Sequence, residues 1–242
     1  MTPDTFPQTL YTAILILTVS EFIAAAAGKN VFSRPLLGLR TLACACGVAF
    51  VWVNSGHPPL FGPFEALAQI LFVSGSLGLM FSRRFDGPAL SFFIWHSLSA
   101  AGIVFLVRNQ PMTLNQDYFM YANPWVILFF TLRLAAAGTF VHCAVQYLSA
   151  VKGNTIFRQG GRNTLLAGAC IYLSSEWAGS LWALNWMGDA WHWSRGFFKA
   201  AILFLLIMGA SHLPARLQIR PVARCAAGVL PAVFILWMIF YH

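Results

Sequence analysis

Aromatic and imidazole side chains are concentrated in one stretch of this chain, WALNWMGDAWHWSRGFF, which covers residues 182–198. Its four tryptophans are Trp182, Trp186, Trp191 and Trp193, and Gly188 lies between the second and the third. This density of indole rings predicts a flat aromatic surface, and the glycine lets a ligand or the backbone approach closely. Such a surface suits a planar apolar macrocycle. Tryptophans are also typical of membrane–water interfaces, which is the alternative interpretation.

Histidines outside this stretch are candidates for binding a metal, because neutral imidazole is the commonest metal ligand among side chains. His96, His142 and His212 lie in apolar runs. Ionisable groups inside a membrane are costly and usually functional, although a single histidine there also bonds neighbouring helices. His57 lies in the loop NSGHPPLFGPF, whose prolines and glycines predict a rigid turn. It is either a ligand or a surface residue.

The composition is that of a membrane protein, with 59% apolar residues, 9% charged residues and a mean hydropathy of +0.70. A spanning helix needs about 20 mostly apolar residues, and it satisfies its own backbone hydrogen bonds. Eight runs qualify as spans: 10–27, 37–55, 64–82, 88–107, 124–150, 163–185, 196–213 and 221–241. The sequence therefore predicts an all-α, polytopic membrane helix bundle that forms one integral domain over residues 1–242.

The basic residues predict the orientation of these spans, because short cytoplasmic loops collect Lys and Arg. Most of them fall in alternate loops: Lys29, Arg34, Arg40; Arg83, Arg84; Lys152, Arg158, Arg162; Arg216, Arg220, Arg224. Both termini are then external, as is the tryptophan-rich segment. The formal net charge of +8 reflects topology and does not indicate nucleic-acid binding.

Two acidic residues, Glu21 and Glu176, also lie in apolar runs. By the predicted spans, Arg133 is the only basic residue deep in a helix, so we expect a buried ion pair between it and one of these glutamates. The alternative for Glu176 is a role in proton relay or in orienting a ligand. Glu65 is expected at the start of the third helix, where an acid suits the helix dipole.

Three motifs carry a resemblance to the cytochrome c assembly (CcmC/CcsA) haem-handling family. The family's W-A-x-x-x-W-G-x-x-W-x-W-D-P-K-E signature, followed by L-H-x-R, is similar to residues 182–216 of this chain. Its G-H-x-P-L-x-x-x-Y-E-x-L motif resembles GHPPLFGPFEAL, residues 56–67, and S-P-W-L-x-x-H-V resembles NPWVILFF, residues 123–130. The chain departs from the family pattern at Phe129, which stands at a histidine, Met187, at a tryptophan, and Ser194, at the aspartate.

The resemblance implies a protein of the bacterial inner membrane that receives haem in the bilayer and presents it on the tryptophan-rich surface to apocytochrome c. A partner membrane protein of the assembly system is implied too. The residues expected to bind haem are His212, His57, His96, Trp182, Trp186, Gly188, Trp191 and Trp193, with His212 and His57 as the iron ligands. The haem is b-type and non-covalent.

Three functions remain open from the sequence. The first is haem delivery for cytochrome c maturation. The second is a structural membrane subunit that has lost haem handling, which Phe129 and Ser194 favour. The third is a haem b electron-transfer subunit with His96 and His212 as paired ligands. No nucleophile or acid–base set stands out, so the sequence leaves open whether the chain is an enzyme.

Overall fold

The computed structural model describes residues 5–60, 62–83, 90–112, 114, 123–151, 154–190, 195–213 and 221–241. Every regular element in these ranges is an α-helix, which confirms the predicted all-α class. The helices are α1 (Phe6–Ala26), α2 (Asn30–Ser55), α3 (Pro63–Ser82), α4 (Leu90–Val107), α5 (Pro124–Ser149), α6 (Thr155–Met187), α7 (Arg195–Ser211) and α8 (Pro221–Phe240).

Six of the described helices, α1 to α5 and α8, are long and apolar enough to cross a membrane. The chain is therefore a multi-pass membrane protein by the length and composition of its helices. The two other predicted spans are less clear-cut. Helix α6 has 33 residues but includes Arg158, Arg162 and Glu176, and the apolar part of α7, Gly196–Ser211, is shorter than a typical span. The count of eight spans stays a prediction.

The chain divides into two compact units, Met1–Gln116 and Asp117–His242. In the first unit, α1 packs against α2 and α4, while α3 packs against α2 and α4. Helix α2 begins at Asn30, before the predicted run 37–55, and Arg40 lies inside the helix and is fully buried. The prediction that Arg40 belongs to a loop was wrong, as was the prediction that Arg133 is the only basic residue within a span. Arg40 is accommodated because Glu21 of α1 compensates its charge.

In the second unit, α5 packs against α6 and α8, and α7 packs against α6 and α8. Glycines allow these close approaches, as expected where helices associate in lipid. A Cβ atom at Gly168 of α6 would lie 2.7 Å from the Phe140 ring of α5, and one at Gly161 would lie 3.1 Å from the Tyr147 ring. The side chains of Asn123 and Asn154 cap the first turns of α5 and α6 by accepting backbone N–H bonds.

Candidate functional site

The second unit contains a cavity of about 870 Å³ at one of its ends, which we call the basic cavity. Its lining combines the end of α5, the first turns of α6, the last turn of α7 with the residues after it, and the start of α8. The lining residues are Tyr147, Thr155, Arg158, Gln159, Arg162, Ala210, Ser211, His212, Leu213 and Arg224. None of these described lining residues is acidic, so the cavity is suited to an anionic ligand.

His212 lies at the rim of the basic cavity, directly after α7, and its side chain is exposed. Its Nδ1 is 2.9 Å from the carbonyl oxygen of Met208. Because a carbonyl only accepts, Nδ1 carries the proton and donates, which leaves a lone pair on Nε2 if the ring is neutral. This is the arrangement that orients a metal-ligating histidine.

A smaller cavity of about 230 Å³ lies near the other end of α7, and we call it the aromatic pocket. Its lining residues are Phe129, Arg133, Glu176, Gly179, Ser180, Trp182, Ala183, Met187, Ala190, Gly196 and Phe197. The 17 residues of α7 separate its two ends by about 25 Å at 1.5 Å per residue. The two cavities thus lie at opposite ends of the second unit.

The predicted ion pair of Arg133 is present in the aromatic pocket. Arg133 Nη2 donates to Glu176 Oε1 at 2.5 Å, which confirms Glu176 rather than Glu21 as its partner. The two side chains keep 16% and 29% of their surface exposed, so the pair is less buried than expected. The guanidinium also lies 4.0 Å from the centre of the Phe129 ring, a cation–π contact.

The tryptophan-rich stretch is not a single loop between two helices. Trp182 and Trp186 lie one turn apart on α6, and Trp186 is 56% exposed. Gly188 ends the helix in a left-handed conformation with φ of 73°, and a Cβ atom there would meet nothing within 4 Å. Gly188 is therefore explained by the helix end and not by a close approach. Trp191 and Trp193 lie outside the described residues, so the predicted surface of four tryptophans stays a prediction.

His57 belongs to the first unit and is buried, with only 3% of its surface exposed, so it is not the surface residue that one interpretation expected. Its Nδ1 lies 2.7 Å from the Pro58 carbonyl oxygen. In the same loop, the Leu60 N–H donates to Glu65 Oε2 at 2.8 Å. Glu65 lies in the first turn of α3, as predicted, and holds the loop against the helix.

His96 is part of a buried polar network in the first unit. Arg40 Nη1 lies 2.7 Å from Glu21 Oε2, and Arg40 Nη2 lies 2.6 Å from His96 Nδ1. A guanidinium only donates, so Nδ1 accepts, and Nε2 donates to the Ser74 carbonyl oxygen at 3.2 Å. Both ring nitrogens of His96 are engaged, and a role as haem ligand would require this network to break.

The sequence pattern missed the chemical meaning of three arginines. Arg158, Arg162 and Arg224 were interpreted only as inner-loop charges, yet the structure gathers them around His212 in the basic cavity. Spacing along the chain did not reveal this, because Arg224 belongs to a different helix from the other two. The four-residue spacing of Arg158 and Arg162 was the available signal, since it puts both on one face of α6.

Comparisons with known proteins add no assignment. No protein-family model matches the chain, and a search of curated proteins finds no match. The described residues define a multi-pass membrane protein whose regular elements are all helices, with a larger and a smaller cavity in its second unit. The resemblance described above therefore depends on the quoted motifs alone.

Proposed function

We propose that this chain handles haem within the membrane for cytochrome c maturation, with haem as its cargo. The observation that carries the proposal is the basic cavity, where an accessible histidine and three arginines share one space of about 870 Å³. That volume is within the usual range of about 300–1,000 Å³ for small-molecule sites. A structural membrane subunit has no need of such a site.

The lining residues match the two recognisable parts of haem. Iron needs an axial ligand, and His212 has the ring orientation for it because Met208 fixes Nδ1. The propionates need cations, and arginine pairs with carboxylates through two parallel hydrogen bonds. Arg158 and Arg162 are exposed side chains on the wall of the cavity, where they can turn toward such groups.

The proposed topology assigns the two cavities to opposite sides of the membrane. With eight spans and both termini external, the basic cavity faces the cytoplasm, and the tryptophan-rich segment of residues 182–198 faces the outside. Haem then enters near His212 and leaves near Trp182, where apocytochrome c and a partner membrane protein receive it. A bacterial inner membrane is the proposed location.

A haem titration of the purified chain in mild detergent tests the proposal. We expect His212→Ala to lose the spectrum of histidine-ligated iron, while its affinity for iron-free protoporphyrin stays unchanged. The double variant Arg158→Gln/Arg162→Gln should lower the affinity for haem and for iron-free protoporphyrin about tenfold or more, since two charge-assisted contacts are removed. The matched control is Arg34→Gln/Arg83→Gln, which changes two exposed arginines of the first unit.

The control variant is expected to bind both ligands as the wild type does. The proposal is wrong if His212→Ala leaves the haem spectrum and affinity unchanged, or if the control weakens binding as much as the cavity variant. The first result would show that iron is not coordinated in the basic cavity. The second would show that only the overall charge of the protein attracts the porphyrin.

A further inference from the structure

The aromatic pocket joins a charged pair to apolar walls. Phe129, Trp182 and Phe197 supply flat apolar surface, and the ion pair of Arg133 and Glu176 supplies the polar groups. The volume of about 230 Å³ is below the usual range of about 300–1,000 Å³ for drug-sized ligands, so the pocket suits a small aromatic group and not a whole macrocycle. Such a combination suits a flat apolar ligand with one polar substituent.

Glu176 uses only part of the donor edge that Arg133 offers. Its carboxylate binds Nη2, while Arg133 Nε has no hydrogen-bond partner among the described residues. Nε and Nη2 form one edge of the guanidinium, which a carboxylate occupies with both oxygens when the geometry allows. The pair in the structure is therefore monodentate, and the Nε donor of Arg133 is unused.

A second donor in the same pocket is also left over. Trp182 Nε1 is buried and has no acceptor in the part of the chain that the structure describes. Buried donors without acceptors are rare, because each loses its hydrogen bond to water without replacement. Arg133 and Trp182 both line the aromatic pocket, so two side chains with an unused donor belong to one site.

The ion pair is accessible enough for exchange. Arg133 keeps 16% and Glu176 keeps 29% of its side-chain surface exposed, so a ligand can reach them. The ring of Phe129 holds the guanidinium from one face, and Gly179 gives that ring its space, since a Cβ atom there would lie 2.7 Å from it. Arg133 therefore has a contact that does not depend on Glu176.

We infer that the aromatic pocket binds the carboxylate of a flat apolar ligand, which takes the place of Glu176 on the Nε and Nη2 edge of Arg133. The carboxylate belongs either to a free aromatic acid or to the propionate edge of a porphyrin. No iron is required, and the site does not depend on His212 or on the basic cavity. Glu176 acts as a built-in competitor that occupies Arg133 when the pocket is empty.

Isothermal titration calorimetry of 2-naphthoate binding to the full chain in detergent tests this inference. We expect 2-naphthoate to bind about tenfold or more tightly than the uncharged 2-naphthamide, because only the acid forms a charge-assisted pair. Arg133→Met should abolish that preference. Glu176→Gln should tighten 2-naphthoate binding several-fold, because the competing carboxylate is gone.

Two further variants separate this result from misfolding. Arg108→Met is the matched control, since Arg108 also lies over a phenylalanine ring, that of Phe105, at 4.4 Å, but in the first unit. It should bind 2-naphthoate as the wild type does. The double variant Arg133→Met/Glu176→Gln leaves no unpaired charge, so it should fold and still show no preference for the acid.

The inference is overturned if Glu176→Gln binds 2-naphthoate no better than the wild type, or if the wild type binds 2-naphthoate and 2-naphthamide equally. It is also overturned if Arg108→Met loses the preference for the acid as Arg133→Met does. Iron-free protoporphyrin added to His212→Ala distinguishes the two sources of carboxylate. Competition with 2-naphthoate assigns the pocket to a porphyrin's propionate edge, and intact 2-naphthoate binding without competition assigns it to a free aromatic acid. Failure of haem binding in the basic cavity changes none of these outcomes.

Discussion

Replacing Glu21 by glutamine should destabilise the first unit strongly, because it removes the charge that compensates Arg40. Both side chains are almost completely buried, with 0% and 1% of their surface exposed, and their nearest charged atoms are 2.7 Å apart. Removing one partner of a buried pair typically costs about 3–5 kcal/mol, since the other charge remains buried. The glutamine carbonyl still accepts a hydrogen bond from Arg40, so we expect about 3 kcal/mol, at the lower end of this range.

Unfolding by increasing SDS in mixed detergent micelles, followed by tryptophan fluorescence, measures this loss. Glu176→Gln is the comparison, because its pair is partly exposed and should lose only about 1 kcal/mol or less. Glu21→Leu/Arg40→Met removes both charges and should unfold close to the wild type. The reasoning is refuted if Glu21→Gln is no less stable than Glu176→Gln, or if the double variant is the least stable of the three.

Three other substitutions have effects that the same unfolding assay measures. Gly78→Ala would place a Cβ atom 2.7 Å from His96 Nε2, so it should lower the free energy of unfolding by about 1–3 kcal/mol. Gly38→Ala is the control and should show no such loss, because its nearest contact is 4.0 Å away. Equal losses in the two variants would contradict the packing. Asn154→Ala removes the side-chain cap of α6 and should lose about 1 kcal/mol, and an unchanged midpoint would show that the cap contributes nothing. Gly188→Ala forces a left-handed backbone on alanine and should lose about 1 kcal/mol, with Gly188→Asn intermediate.

Apolar runs predicted the helices well, because a segment in lipid must satisfy its own backbone hydrogen bonds and so forms a helix wherever it is long and apolar. The predicted run 64–82 and the observed Pro63–Ser82 differ by one residue. The helix ends that were predicted wrongly are those where polar residues extend the helix beyond its apolar run. Helix α2 continues back from the predicted run 37–55 through Arg34 to Asn30, a segment that hydropathy alone assigns to a loop.

For partners across helices, the sequence narrowed the acid paired with Arg133 to two glutamates, Glu21 and Glu176. Arg133 needed an acid, and Glu176 is the partner found. The network of Glu21, Arg40 and His96 was missed, because it joins three helices whose packing no local pattern reveals. A signal was nevertheless present, since a glutamate in an apolar run requires a cation or hydrogen-bond donors from elsewhere in the chain.

The sequence identified some of the residues that line the cavities, while their functional roles stay predictions. The sequence singled out His212 and Trp182, and each lines a cavity of the second unit. The sequence did not predict that the arginines of α6 and α8 lie in the same cavity as His212, because helices distant in sequence meet there only after folding. His57 and His96, which were also predicted as haem-binding residues, lie in the first unit and have ring nitrogens engaged in hydrogen bonds, and their role as ligands stays a prediction.

The haem content of the purified wild type and of His212→Ala, both expressed in haem-replete cells, tests the proposed function most directly. We predict about one haem per wild-type chain, with oxidised and reduced visible spectra typical of histidine-ligated iron, and loss of that haem in the variant. A folded wild type without haem, or a variant that retains the wild-type spectrum, would contradict the proposal that His212 and the basic cavity hold the cargo.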